Sequence, residues 1–303
     1  MEDKYAEKEW RALGTDVYLQ IVGHDLDDPE IKKIFLSVKE IYHQQESIFS
    51  RFSKESELSK INSSLGIFFK ASPDMLAVAK KSLAYFKESA GLFDPRILEA
   101  LEKIGYNRNF SAEDFSSTET MDKLSEKICP EDLEHDLIIE NDRIKFQRRM
   151  DLSGIAKGYI TDRVADFLRL QGLKNFLIDS GGDMFASGKN NQGNPWGIAL
   201  EGSQNENESL LEISNEAVAT SGSVRRNWRK GEKKFHHLIN PHQPNNFSFT
   251  LRSVTVVEEN VEKADVWAKI LFLSGLSEGM KKAQEKKIKA FFLKQNKTIM
   301  ESK

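Results

Sequence analysis

The segment Asp151-Leu152-Ser153-Gly154-Ile155-Ala156-Lys157-Gly158-Tyr159-Ile160-Thr161-Asp162 sets two glycines around the start of a helix. Ile160, Val164, Phe167 and Leu168 continue it with one apolar face, and Gly172 ends it. Phe176-Leu177-Ile178 then reads as a short buried strand running into Ser180-Gly181-Gly182-Asp183, so the unit is loop, helix, strand, Gly-Gly turn. The helix start gathers free backbone N–H groups, the positive end of the helix dipole and Lys157, a combination that favours an anion such as phosphate. The spacing is not that of a P-loop, and no G-x-G-x-x-G occurs. An equally good reading is that Gly154 and Gly158 let the helix pack closely on a neighbour.

Upstream, Val17, Leu19 and Ile21 alternate within a strand from Leu13 to Val22. Ile31, Ile34, Phe35, Val38, Ile41 and Ile48 recur at helical spacing after Pro29. Ser56 to Asn62 and Pro73 to Lys87 read as two more helices, the second capped by Ser72. Leu137 to Ile139 and Arg143 to Phe146 form a hairpin around Asn141-Asp142. Between these parts, the polar stretch from Asn107 to Glu134 has no period and reads as an insertion. Downstream, strands are expected at Trp196 to Leu200, Leu210 to Ile213, Phe235 to Ile239, Leu251 to Val257 and Ile288 to Leu293, with a helix from Ala264 to Leu273. Strands and helices in no strict βαβ order suggest an α+β fold, and residues 1–303 carry no internal repeat and read as a single domain.

With 303 residues and 39% hydrophobic content the chain can bury one large core or two intimately packed lobes. Its 44 basic and 47 acidic residues leave a net charge of −3, which gives no electrostatic reason to expect a nucleic-acid partner. One cysteine, Cys129, excludes an internal disulfide and a cysteine-rich metal site. Met1 to Ala12 is charged and carries no apolar run, so no secretory signal or transmembrane segment is expected. As written the chain reads as cytoplasmic, the alternative being the mature part of an exported, membrane-anchored protein whose leader was removed.

Several other residues could carry chemistry. Thr220-Ser221-Gly222 offers two hydroxyls that can grip a phosphate, or is simple loop punctuation. His237 follows His236 at a strand end, where one of two successive side chains turns away from the other; it could be a general base or a structural residue. His24, His43, His135, His236 and His242 have no partner legible in sequence. Asp265 and Lys269 stand one helical turn apart, as a surface ion pair or with Asp265 as an oxygen ligand for Mg²⁺.

Taken in order, these segments resemble the ApbE family of FAD:protein FMN transferases. The resemblance is carried by Leu13-Gly14-Thr15, Ser56-Glu57-Leu58-Ser59 through Asn62, Gly91-Leu92-Phe93-Asp94-Pro95, Asp151 through Asp162, Gly181-Gly182-Asp183, Thr220-Ser221-Gly222, His237 through Pro241, Ser253-Val254-Thr255 and Ala264-Asp265. It implies two closely packed α/β lobes with FAD in a cleft between them. Leu13, Phe52, Leu92, Phe93 and Asp94 would line the flavin or adenine, Asp151 and Lys157 would hold the nucleotide, and Thr220, Ser221 and Ser253 would add FAD contacts. Mg²⁺ would be held by the Gly154 carbonyl and the Asp265 carboxylate, helped by the turn of Ala268 and Lys269, and His237 would be the base.

The implied reaction is Mg²⁺-dependent transfer of FMN from FAD to a threonine hydroxyl of an acceptor flavoprotein, releasing AMP. The alternatives are an FAD pyrophosphatase that gives FMN and AMP, and a non-catalytic FAD-binding protein. The chain departs from the family pattern at Lys269, where many relatives have threonine, at Asn240 in place of aspartate and at Pro244 in place of glycine. Arg96 stands where threonine is frequent and could reach a phosphate or be a solvated loop arginine.

Overall fold

The computed structural model describes residues 3–107, 124, 127–128, 131–200 and 210–302. It opens with a hairpin, β1 (Tyr5–Ala12) and β2 (Thr15–Val22). The two turn residues, Leu13 and Gly14, lie at φ 54° and 68°, the left-handed geometry that suits a two-residue hairpin. Leu13 is thus a turn residue rather than the start of a strand. The strand before it escaped the sequence reading because its inward positions are Ala6, Lys8, Trp10 and Ala12, a set too small and polar to show alternation.

The chain continues through α1 (Pro29–Phe49), α2 (Glu57–Asn62), β3 (Phe69–Lys70), α3 (Pro73–Glu88) and α4 (Leu98–Lys103). Ser56 and Ser72 cap α2 and α3, their hydroxyls accepting from the N–H groups of Ser59 and Met75. The expected hairpin is β4 (Leu137–Glu140) and β5 (Arg143–Phe146). Then come α5 (Ser153–Leu170), β6 (Phe176–Ser180), β7 (Asp183–Ser187), β8 (Trp196–Ala199), β9 (Leu210–Ile213), β10 (Glu216–Gly222), β11 (Asn227–Lys230), β12 (Lys233–His236) and β13 (Leu251–Glu258). The chain closes with α6 (Val261–Lys286), β14 (Lys289–Lys294) and β15 (Ile299–Glu301). Thr220-Ser221-Gly222, read as a loop, is the end of β10, and α6 runs past Leu273 with a kink at Gly275.

Eight strands form one antiparallel sheet in the order β1-β2-β6-β7-β10-β13-β14-β15, so the architecture is α+β. Strand alternation sorts its two faces. Leu19, Ile178, Phe185, Ala219, Val256 and Phe292 enter the main core with α1, α5 and α6, while Val218, Val257 and Phe291 pack under the β8–β9 hairpin. The main core also takes in Leu58, Met75, Ile144 and Phe146, so the smaller β3-β5-β4 sheet and its helices share it. Of the polar insertion, Leu124 is buried against Tyr106 and Trp228, and the Ile128 N–H donates to the Pro241 carbonyl; most of that stretch lies outside the described residues. Among the described residues no helix is long and apolar enough to cross a membrane.

Candidate active site

The two helices that carry most of the candidate residues, α5 and α6, are locked together where the N-terminus of α6 meets the first half of α5. Asp162 accepts the Val261 and Glu262 N–H groups at 2.7 and 2.9 Å, and Asn260 caps Lys263 at 2.9 Å. A Cβ on Gly158 would sit 2.6 Å from Glu262 Cα and 2.8 Å from the Val261 carbonyl oxygen, so close helix packing accounts for this glycine. Gly154 differs. A Cβ there would meet only Phe93 at 3.5 Å and the Lys269 stem at 3.7 Å, ordinary contacts, so packing does not demand glycine at that position.

Lys269 therefore lies across the start of α5, and its ammonium contacts Asp265 Oδ1 one turn back on α6 and the Asp265 carbonyl at 3.3 Å. Lys157, one turn into α5, reaches Asp183 Oδ2 at 2.6 Å. Asp183 opens β7 on the helix-facing side of the sheet, directly after a turn held against the β1–β2 hairpin. A Cβ on Gly181 would lie 2.0 Å from Thr15 Oγ1. Burial, and then the Asp265 charge, push the Asp183 carboxyl up to about 6, while the two lysines oppose the shift. The Asp183 and Asp265 side chains are 1% and 3% exposed, against 20% and 18% for Lys157 and Lys269. The floor thus pairs two partly exposed lysine side chains with two buried carboxylates.

The same arrangement tests the implied metal. Asp265 Oδ2 and Asp183 Oδ1 are buried without hydrogen-bond partners among the described residues, which would suit a cation. Yet Lys269 already fills the space between Gly154 and Asp265, and two carboxylates are matched by two ammonium groups. A like charge about 4 Å away costs about 4 kcal/mol at an effective dielectric of about 20, and twice that for a divalent ion. As arranged, these residues do not fit Mg²⁺, and the Ala268 side chain faces the core rather than the floor.

Asp151 anchors one rim. Its Oδ1 accepts the Ser153 N–H at 2.7 Å, and Oδ2 lies 3.2 Å from Arg51 Nε in a buried pair. The Arg51 guanidinium stacks on Phe52 and Tyr106 at 4.2 and 4.6 Å and donates to the Tyr106 carbonyl at 2.9 Å. Tyr106 in turn meets the His237 ring edge at 6.3 Å. His237 Nδ1 is 3.4 Å from the Arg226 carbonyl; a carbonyl only accepts, so Nδ1 carries the hydrogen and Nε2 is left basic. Desolvation of this half-buried ring first, then the charge of Arg226, lower the His237 pKa from the usual histidine range, which favours the neutral imidazole. His236 faces the other way, among Phe247, Phe249 and Phe272, and donates from Nε2 to the Ser248 carbonyl at 3.1 Å.

Other sequence candidates are placed differently. Arg96 neither reaches a phosphate nor stands in solvent: it is buried between Asp94, at 2.8 Å, and Asp136, at 2.7 Å. Asp94 is spent on that pair and on the Arg96 N–H, so its role is to hold the loop that presents Phe93. Thr220 bonds Thr255 at 2.8 Å on the sheet face away from the helices, and Ser253 shares that face; neither joins Lys157 and Lys269. Ser221 has the helix-facing parity of Ala219. The Leu13 N–H donates to Glu46 at 2.6 Å beside the Gly181 turn. Leu92 borders a groove of ≈ 440 Å³ shared with Asn240, His242 and Phe272, the last one turn along α6 from Lys269. Arg51 and Tyr106 were not among the sequence candidates. Asp183 was visible only as the end of a Gly-Gly turn, and nothing local links Arg51 to Asp151.

The sequence model of the ApbE family matches residues 13–292. The chain is similar to an FAD:protein FMN transferase of Vibrio cholerae serotype O1, 29% identical over 246 residues, covering 79% of this chain and 72% of the relative. A Haemophilus influenzae protein of the same name is 25% identical over 301 residues, covering 96% and 87%. In structure the chain resembles the flavin transferase ApbE from Vibrio cholerae, with a TM-score of 0.81, 23% identity and coverage of 99% and 96%. The ApbE protein of Thermotoga maritima gives a TM-score of 0.81 at 22% identity, covering 99% and 97%.

Proposed function

The chain belongs to the ApbE family, and from that we propose that it is a transferase enzyme, one that moves the FMN half of FAD to a threonine hydroxyl of an acceptor flavoprotein and releases AMP. Relatives named FAD:protein FMN transferase support the flavin substrate and the protein acceptor. The observation that carries the reading is the pair of lysines, Lys157 and Lys269, held on buried carboxylates beside Gly154, with His237 close enough for the Lys269 charge to act on it.

Their chemistry follows from charge. The FAD diphosphate lies against the two ammonium groups, and Gly154, lacking a side chain, leaves room for phosphate at the start of α5. His237 Nε2 takes the proton of the attacking hydroxyl. A bond forms from that oxygen to the flavin-side phosphorus, the bond from this phosphorus to the bridging oxygen breaks, and AMP leaves with the electron pair. The lysines neutralise charge that builds on the bridging and non-bridging oxygens. Mg²⁺, which the family resemblance implies for this step, could join only by displacing Lys269 from Asp265.

The test combines the protein with FAD and a threonine-bearing flavoprotein, following covalent flavin by in-gel fluorescence and AMP by chromatography. Labelled acceptor with matching AMP is the expected result. Steady FMN and AMP without acceptor would instead make the enzyme a pyrophosphatase, and retained, uncleaved FAD would make it a binding protein.

A further inference from the structure

The position between Gly154 and Asp265 is taken by the side chain of Lys269, which is already a cation. The Lys269 stem passes 3.7 Å from where a Gly154 Cβ would be, and its ammonium rests on the buried Asp265 carboxylate. The neighbouring carboxylate, Asp183, is matched by Lys157 at 2.6 Å. Charge on this floor is therefore balanced by the chain itself. The remaining buried oxygens, Asp265 Oδ2 and Asp183 Oδ1, have no hydrogen-bond partner among the described residues. They would complete a cation site if an ammonium were taken away.

We propose that Lys269 is a built-in counter-cation standing where a divalent metal would sit between Gly154 and Asp265, so that this chain engages the diphosphate of FAD without Mg²⁺. The cation is monovalent, tethered and always present. Its position follows from α6 packing on α5 through Gly158 and Asp162, which fixes the distance between Lys269 and Gly154. Removing the ammonium while keeping Asp265 leaves a buried carboxylate facing an open space, which is a metal site in waiting. The choice of diphosphate rests on the FMN-transfer reading; the statement that Lys269 occupies the cation position does not.

The experiment titrates Mn²⁺ by electron spin resonance into the wild-type protein, Lys269→Thr and Lys269→Gln, with and without FAD. In parallel, FAD affinity is read from flavin fluorescence with and without EDTA. Wild type is expected to show no saturable Mn²⁺ site in the micromolar range and an FAD affinity unchanged by EDTA. Lys269→Thr gains a saturable Mn²⁺ site at least about tenfold tighter, and its FAD affinity falls when metal is chelated. Lys269→Gln, close in shape but neutral and unable to vacate the space, binds FAD about tenfold more weakly with circular dichroism unchanged. Wild type that binds Mn²⁺ as tightly as Lys269→Thr, or that loses FAD on chelation, overturns the proposal. If no variant binds FAD under any condition, the FMN-transfer reading fails, while the Mn²⁺ titration still decides what Lys269 does.

Discussion

At His237 the hydrogen bond to Arg226 and the burial of the ring act together: the first fixes which nitrogen is bare and the second keeps it unprotonated. His237→Gln should therefore retain FAD binding and lose transfer by about 10²–10⁴-fold, the usual worth of a positioned base. Initial rates of AMP release should also hold steady as pH falls through the ordinary histidine range, because the folded ring titrates below it. An acid limb at the ordinary histidine value would remove His237 as the base. Arg51 poses a different problem, since its side chain and that of Asp151 are 5% and 1% exposed. Arg51→Ala leaves a buried carboxylate unpaired at the start of α5, and denaturant unfolding should report a loss of roughly 3–5 kcal/mol. An unchanged unfolding midpoint would mean that water reaches Asp151 freely.

Between α5 and α6, two glycines four residues apart should respond in opposite ways. Gly158→Ala drives a methyl into the Glu262 backbone, which cannot rotate aside, and the overpacking cost of about 1–3 kcal/mol should exceed the gain in helix propensity of about 1 kcal/mol. Gly154→Ala meets only ordinary contacts and should leave the melting temperature equal or higher, yet weaken FAD binding by crowding the space beside Lys269. Equal melting behaviour of the two variants would contradict this division. The sequence left both roles open for both glycines because the deciding neighbours, Val261, Glu262 and Lys269, lie about a hundred residues away. Elements with strong periodicity, α1, α5 and the β4–β5 hairpin, were legible. Strands β1 and β10 were not, one for its small and charged inward positions and one because Thr-Ser-Gly imitates a loop. In the candidate site, Lys157, Gly154 and Asp265 could be read from a helix start and an (i, i+4) pair. The Asp183–Lys157 and Arg51–Asp151 pairs are tertiary and leave no local trace, and Thr220 and Ser253 could be assigned a side only once the sheet register was known.

Taken as a whole, the molecule buries histidine beside its groove in a way that links global stability to acid. His236 is 2% exposed, ringed by Phe247, Phe249 and Phe272, and its pKa is lowered to about 4 by burial, with Lys234 adding slightly to the shift. A pKa depressed on folding means that the unfolded chain binds the proton more readily. The stabilising contribution is therefore complete above the unfolded value near 6.5 and is lost as pH falls through about 4. The difference amounts to as much as about 3 kcal/mol across that window. His237, lowered in the same direction, adds to the loss. Replacing His236 with Phe keeps the aromatic packing and removes the proton-binding group. Urea unfolding measured at pH 7 and pH 4.5 should then show a smaller drop for His236→Phe than for the wild type. An identical drop would mean that the ring is hydrated when the protein is folded, and that carboxylates elsewhere govern acid unfolding.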